Sequence, residues 1–144
     1  MPAIRVLFLC THTSARSQMA EGLLRTLAGD RVEVHSAGTI ATAVRPEAIT
    51  VMDEIGINLR DHTSKTLARF VRQPFDFVIT VCDDANKACP VFPRAQERLH
   101  WSINDPIRAQ GTEADRLQAF RKARDVLPLR IEQELLPQIL AASA

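Results

Sequence analysis

The order of elements along the chain predicts an α/β fold: a single-domain three-layer sandwich with a four-stranded parallel sheet and helices on both faces. Three observations carry this. Short apolar runs at 4–9 (IRVLFL), 32–35 (VEVH), 75–81 (FDFVITV) and 99–103 alternate with longer segments of helical period. The first and third runs are almost unbroken by polar residues, as expected of parallel strands buried on both faces. The 144 residues suit one core and contain no linker, internal repeat or low-complexity stretch, so 1–144 reads as one domain.

The first strand is 4–9, interrupted only by Arg5. The first helix covers 19–27, with Ala20, Leu23, Leu24 and Leu27 on one face, and Gly29-Asp30 ends it. The second strand is 32–35, with Ser36-Ala37-Gly38 as its exit and 39–44 as loop. Pro46 suits the first position of a second helix whose apolar face is Ala48, Ile49, Met52 and Ile55, closed by Gly56. Thr63 or Ser64 can cap a third helix with Leu67, Phe70 and Val71 inward, ended by Pro74. The third strand, 75–81, runs into Cys82. The fourth, 99–103, is followed by Asn104-Asp105-Pro106. A long helical region runs from about 112 to 140 on Leu117, Phe120, Leu127, Ile131, Leu135 and Ile139, and Pro128 should kink or split it.

The stretch that carries chemistry is Cys10-Thr11-His12-Thr13-Ser14-Ala15-Arg16-Ser17. It lies where the first strand turns into the first helix. Backbone N–H groups and the positive end of a helix converge there, which favours an anion. A Cys in that field has a lowered pKa and reacts as a thiolate. Arg16 adds a planar donor fork matched to a tetrahedral oxyanion. A lone Cys after a strand is more often a small core residue, but this polar loop offers such a residue nothing to pack against. The Gly-rich nucleotide-binding pattern G-x-x-x-x-G-K-[ST] is absent. His12 can either tune the thiol or face solvent.

Formal net charge is +1, which offers no electrostatic case for nucleic acid or a membrane surface. Tyr is absent and Trp101 is the only Trp, so base-stacking platforms are not expected. No apolar stretch reaches the roughly 18 residues of a membrane span, and the opening run is too short for a signal peptide. A cytoplasmic monomer is the expectation. Three cysteines make a poor disulfide framework and suit a reducing compartment.

Because ligands of open parallel sheets bind outside the carboxyl ends of the strands, Cys10, Cys82 and Asp105 all fall on one rim. On a regular helix Cys82 and Cys89 would stand about 10 Å apart along the axis. A disulfide needs Cα atoms within about 7 Å. Pairing therefore requires 83–88 to be looped or to rearrange, and this polar segment is expected to be mobile. The spacing matches no standard zinc pattern, and no metal or other cofactor is expected. Asp105, on the rim beside an anion loop, can be held protonated and serve as a general acid. His62 reads as a loop residue, and His100 and Trp101 as packing beside the fourth strand.

These motifs resemble a known family. The loop CTHTSARS is similar to the C-x5-R-S loop of low-molecular-weight protein tyrosine phosphatases. LCTHTSARSQMAEG, VCDDANKACP, HWSINDP and RAQGTEAD together resemble more closely the thioredoxin-coupled arsenate reductases built on that fold. The phosphatases usually carry an aromatic residue after the Asp-Pro, where this chain has Ile107-Arg108. The resemblance implies arsenate reduction, with roles for each residue. Cys10 attacks arsenic, while Arg16 and the amides of 11–16 hold the oxyanion. Ser17 hydrogen-bonds the Cys10 thiolate, and Asp105 protonates the departing hydroxyl. Cys82 then forms a disulfide with Cys10, Cys89 takes it over, and thioredoxin reduces the Cys82–Cys89 pair. The chain departs from the family in having Thr13 for the usual Asn, and Ala15 where many members have Cys. Some relatives hold potassium through side chains mapping to Thr13, Glu21, Ser36, Thr63 and position 65. Here position 65 is Lys, so no strong potassium dependence is expected. Two rivals stand beside this reading. A phosphatase would need only Cys10, Arg16 and Asp105. A thiol-based redox or arsenite sensor would leave Arg16 unexplained.

Overall fold

A computed structural model describes residues 3–12, 15–40, 44–63, 65–81, 94–101, 103, 106 and 109–143; for 11, 12, 39, 40, 67, 142 and 143 it describes the backbone alone. Four parallel strands form one sheet: β1 (Ile4–His12), β2 (Val32–Ile40), β3 (Phe75–Thr80) and β4 (Ala95–His100). Their order is β2-β1-β3-β4. The helices are α1 (Arg16–Ala28), α2 (Pro46–Asp53), α3 (Glu113–Arg130) and α4 (Leu136–Ser143). No helix among the described residues is long and apolar enough to cross a membrane.

β1 is central, and its alternation divides the core. Ile4, Val6, Phe8 and Cys10 face the larger cluster, built with α1, α2, α3 and α4. Leu7 and Leu9 face a smaller one with Ala37, Phe70, Phe75 and Val78. Arg5, the one break in the apolar run, secures the turn before β3. It donates to the Pro74 carbonyl (2.7 Å) and Gln73 Oε1 (2.8 Å), and its guanidinium lies over the Phe75 ring at 4.6 Å.

Several boundaries differ from the sequence-based expectation. Strands β1 and β2 run on to His12 and Ile40, because parallel pairing continues through Cys10↔Gly38 to His12↔Ile40. β4 starts four residues earlier than expected and stops three earlier. Its sequence AQERLH is largely exposed, as an edge strand is, and its register on β3 rather than an apolar run defines it. The ladder continues past it through Trp101 N–H to the Thr80 carbonyl (2.7 Å) and Ile103 N–H to the Val81 carbonyl (3.3 Å). The expected third helix at 63–73 is a single 3-10 turn, Leu67–Arg69. The backbone just before it is held extended: the Lys65 carbonyl accepts from Gly38 N–H (3.0 Å), and Thr66 bridges to Gly38. Phe70 is inward as expected. The expectation for 83–88 falls outside the described residues.

The helices follow their end signals. Gly29 (φ 57°) and Gly56 (φ 79°) take the left-handed conformation that other residues resist, at the ends of α1 and α2. Leu27 and Ile55, expected inward, are 42% and 45% exposed; Ile55 lies beyond the last turn of α2. α3 passes through Pro128 without stopping. The accommodation comes later, in a wider π turn (Ile131–Leu135) closed by Leu136 N–H on the Ile131 carbonyl, immediately before Pro137. Leu127, Ile131, Leu135 and Ile139 are all fully buried, and this stripe holds the segment together across the proline.

Two contacts fix helices to their neighbours. Gly22 allows α1 to meet residues 57–59 closely. A Cβ there would stand 3.0 Å from Leu59 Cδ2 and 3.1 Å from Ile57 Cγ2. Arg124 ties α3 to the end of α2, donating to the Val51 carbonyl (2.9 Å) and to Glu54 Oε1 (2.7 Å), while Arg121 holds the other Glu54 oxygen at 2.7 Å. These two guanidinium groups lower the Glu54 carboxyl to about 2.

Gly22→Ala is expected to destabilise the protein by about 1 kcal/mol despite the higher helix propensity of Ala, because overpacking against buried Leu59 costs more than propensity returns; urea unfolding of the two proteins measures it. For Glu54 the folded pKa lies below the unfolded value of 4.5, so its contribution is complete above 4.5 and disappears as pH falls toward 2. Glu54→Gln should therefore lower stability at neutral pH and flatten the loss between pH 4.5 and 2, read as melting temperature against pH.

Candidate active site

The strand order reverses between β1 and β3, and the rim at their carboxyl ends is the position where such sheets bind ligands. Cys10 lies there, 2% exposed and paired with Gly38 of β2. The rim is closed on the other side by Val81, whose N–H donates to the Leu9 carbonyl at 2.8 Å. α1 begins at Arg16 with no side-chain cap and no acidic residue in its first turn. Its first N–H groups and positive dipole end are thus left for an anion. Arg16 is 5% exposed, and its Nη1 donates to the Ile103 carbonyl at 2.8 Å. The structure therefore brings Cys10 and Arg16 to one end of the sheet and fastens the arginine to the chain that leaves β4.

The remaining predicted site residues are placed unequally. Ser17 is fully buried in the first turn of α1, and its Oγ has no hydrogen-bond partner among the described residues. The bond from Ser17 to Cys10 that the resemblance implied is not made in this structure. A buried hydroxyl left unpaired costs about 1–3 kcal/mol, so the group is a donor in want of an acceptor. Ala15 is buried beside it. For Thr11 and His12 only the strand backbone is described, and Thr13, Ser14, Cys82, Cys89 and Asp105 lie outside the described residues. Trp101 packs as expected, fully buried with its ring 6.0 Å from that of Phe8. His100 sits on the rim, its Nδ1 2.6 Å from Thr80 Oγ1.

Behind α1 lies a polar cluster that joins Glu21 and Ser36, which the resemblance had grouped, with Gln18, Arg25 and His62, which it had not. The buried Glu21 carboxylate accepts from Ser36 Oγ (2.9 Å) and lies 3.1 Å from both His62 Nδ1 and Arg25 Nη2. His62 Nδ1 also meets Gln18 Oε1 at 2.9 Å, and Gln18 Nε2 donates to the Thr63 carbonyl at 3.0 Å. His62 lies in a loop, as expected, but its side chain is only 9% exposed. Its tautomer follows from its partners. Two acceptors face Nδ1, so Nδ1 carries the proton; Arg25 Nη1, a donor only, faces Nε2 at 3.2 Å, so Nε2 carries the lone pair. Burial is the main cause lowering the His62 pKa, and Arg25 and Lys65 add to it against Glu21 and Asp61. One signal for the cluster was available: Gln18, Glu21 and Arg25 recur at helical spacing on the side of α1 away from Ala20 and Leu24. His62 itself gave none.

Potassium does not fit this cluster. The donors of Ser36, His62 and Arg25 already surround the Glu21 carboxylate, and the Thr63 carbonyl accepts from Gln18. Two of the neighbouring groups, Arg25 and Lys65, are themselves cations.

A strand, an anion-collecting turn bearing Cys and Arg, and a helix at the switch point of a 2-1-3-4 parallel sheet define a class of phosphatase-like α/β proteins. Residues 5–142 match the model of the low molecular weight phosphotyrosine protein phosphatase family, and the chain belongs to that family. It is 42% identical to an arsenate reductase of Halalkalibacterium halodurans over 127 residues, 88% of this chain and 91% of the relative. Among solved structures, an arsenate reductase in the phosphate binding state superposes with a TM-score of 0.81 at 32% identity, covering 94% of this chain and 98% of that one. A thioredoxin-dependent arsenate reductase of Corynebacterium glutamicum superposes with a TM-score of 0.68 at 28% identity; it covers 98% of this chain, which spans 64% of the larger protein.

Replacing sodium by potassium at constant ionic strength should leave the turnover rate of the protein unchanged. A severalfold increase in potassium, measured in a steady-state assay, would show that the cation displaces part of the Glu21 cluster.

Proposed function

We propose that the chain is a single-domain arsenate reductase that passes the oxidation through three cysteines to thioredoxin. The observation that carries this is the placement of Cys10 and Arg16 on the switch-point rim, in a chain about two-fifths identical to arsenate reductases over most of its length. Cys82 and Cys89 separate it from a phosphatase, which needs one thiol only.

In this mechanism arsenate enters the loop formed by 11–16, held by backbone amides and the Arg16 fork. The Cys10 thiolate attacks arsenic, an As–O bond breaks, and Asp105 protonates the leaving hydroxyl to water. The Ser17 hydroxyl, which has no partner among the described residues, turns to donate to the Cys10 thiolate once the thiol has ionised and so stabilises it before attack. The Cys82 thiolate then attacks the Cys10 sulfur. The S–As bond breaks with its electron pair left on arsenic, which departs as arsenite, and a Cys10–Cys82 disulfide remains. Cys89 attacks Cys82, forms the Cys82–Cys89 disulfide and releases Cys10 as a thiolate. Thioredoxin supplies two electrons to reopen that pair. Each step at sulfur is an in-line attack by a thiolate, with arsenite as the first leaving group and a thiolate as the leaving group in every exchange after it. A weak phosphatase side activity fits the same loop, since phosphate and arsenate share shape and charge. The protein acts as a cytoplasmic monomer and needs no resident cofactor.

The test is turnover of arsenate with thioredoxin, thioredoxin reductase and NADPH. Cys10→Ser, Cys82→Ser and Cys89→Ser should each abolish multiple turnover, and Cys89→Ser should accumulate a Cys10–Cys82 disulfide visible by peptide mapping. Normal turnover by both Cys82→Ser and Cys89→Ser would overturn the relay and leave the phosphatase reading in its place.

A further inference from the structure

Residues 62, 63, 65 and 66 touch the neighbours of both ends of the loop that runs from Cys10 to Arg16, although they lie about fifty residues beyond it in sequence. At the Cys10 end, Gly38, the β2 partner of Cys10, has its N–H on the Lys65 carbonyl (3.0 Å) and bridges to Thr66. At the Arg16 end, Gln18 of the first turn of α1 is bound at both ends of its amide. His62 Nδ1 donates to its oxygen (2.9 Å), and its nitrogen donates to the Thr63 carbonyl (3.0 Å). One turn further along α1, the Glu21 carboxylate lies 3.1 Å from the same His62 nitrogen. Gln18 is fully buried and the side chains of Glu21 and His62 are nearly so, and the close approach at Gly22 lays the preceding residues 57–59 flat on the helix.

We propose that residues 62, 63, 65 and 66 brace the oxyanion loop, fixing the separation of its two ends, with His62 and Gln18 as positioning residues for oxyanion binding. The physical reason is convergence. The amides at the start of α1 and the Arg16 fork must meet the anion while Cys10 points at its centre, and small misplacement of such groups is costly. A loop without a capping side chain at the start of its helix does not hold that spacing by itself. The brace supplies it by joining the β2 strand beside Cys10 to the first turn of α1. His62 serves because its buried ring holds a donor, Nδ1, on the Gln18 amide oxygen with the Glu21 carboxylate beside it. The inference rests on reading 10–16 as an oxyanion loop.

The test uses inorganic phosphate as the probe, titrated calorimetrically into the reduced protein, with melting temperature recorded for each variant. A second readout is the pH midpoint of Cys10 alkylation by iodoacetamide in a Cys82→Ser/Cys89→Ser background. His62→Phe fills the volume but removes the donor, and Gln18→Met keeps the length but removes both amide bonds. Each should weaken phosphate binding about tenfold and raise the alkylation midpoint, the loss of one well-made buried contact being of that order. His62→Asn, whose amide nitrogen stands where Nδ1 does, should recover binding to within about threefold. A purely structural role would lower the melting temperature and leave phosphate affinity and alkylation midpoint unmoved; that result in both His62→Phe and Gln18→Met overturns the brace. If His62→Phe fails to fold, Gln18→Met alone decides. A wild-type protein that binds no phosphate overturns the oxyanion loop and the brace with it, whereas one that binds phosphate but reduces no arsenate overturns only the reductase reading.

Discussion

The structure depends on β1 lying between β2 and β3 in a parallel sheet. Because β1 is hydrogen-bonded on both sides, its carboxyl end has nowhere to go but out of the layer, and the chain must turn at once into α1. That turn is where Cys10 and Arg16 sit. The same pairing determines what surrounds them: Gly38 on one side of Cys10, and on the other Val81 hydrogen-bonded to Leu9. β4 extends the arrangement, since the chain leaving it carries the Ile103 carbonyl that receives Arg16. Strand order thus brings residues separated by up to 87 positions to a single rim.

Two kinds of support hold this rim. Apolar packing supplies the bulk of it, with Phe8 against Trp101 and α1 against the even-numbered residues of β1. The second kind is a set of buried polar contacts, centred on Gln18, Glu21, Ser36 and His62, that apolar packing could not replace. Apolar surfaces are non-directional and tolerate small slides, whereas a carboxylate shared by a hydroxyl, an imidazole and a guanidinium tolerates few positions. A low-dielectric setting makes such a network favourable only when every member is satisfied. Here the His62 tautomer is the one that satisfies all of its neighbours.

The chemistry of the family gives rigidity on one side of the rim its use. A nucleophile and an oxyanion cradle gain from preorganisation, and the contacts of Gln18 and Glu21 anchor α1. The relay proposed above sets the opposite demand on Cys82 and Cys89, each of which has to approach first one sulfur and then another. In sequence the two sets are separate, with Cys10 and Arg16 before and at the start of α1 and the other two cysteines in the polar stretch after β3.

Much of this was legible from residue order. The alternation of apolar runs with helical segments carried the fold class, and Gly29, Pro46 and Gly56 marked helix ends where the backbone indeed turns. Cys10 and Arg16 were legible because a Cys followed six residues on by an Arg, between a buried strand and a helix start, collects donors there; the expectation that the thiol would find nothing to pack against did not hold, since Cys10 lies in the larger apolar cluster at the end of a buried strand. The edge strand β4 was misplaced because an exposed strand needs no apolar run, and its register comes from β3 alone. The third helix failed because residues 65 and 66, helical by local pattern, are held extended against Gly38 by a contact that local sequence cannot express. Pro128 misled for the converse reason: a buried stripe of Leu and Ile carries the helix across it. The sequence by itself determined the order of the four strands and the position of Cys10 and Arg16 between the first strand and the first helix, since these follow from local period and residue order. Only the tertiary structure decided that His62 belongs with Glu21 and Gln18 and that Arg16 is held by Ile103, because such contacts form between segments whose proximity arises from the order in which the strands pair.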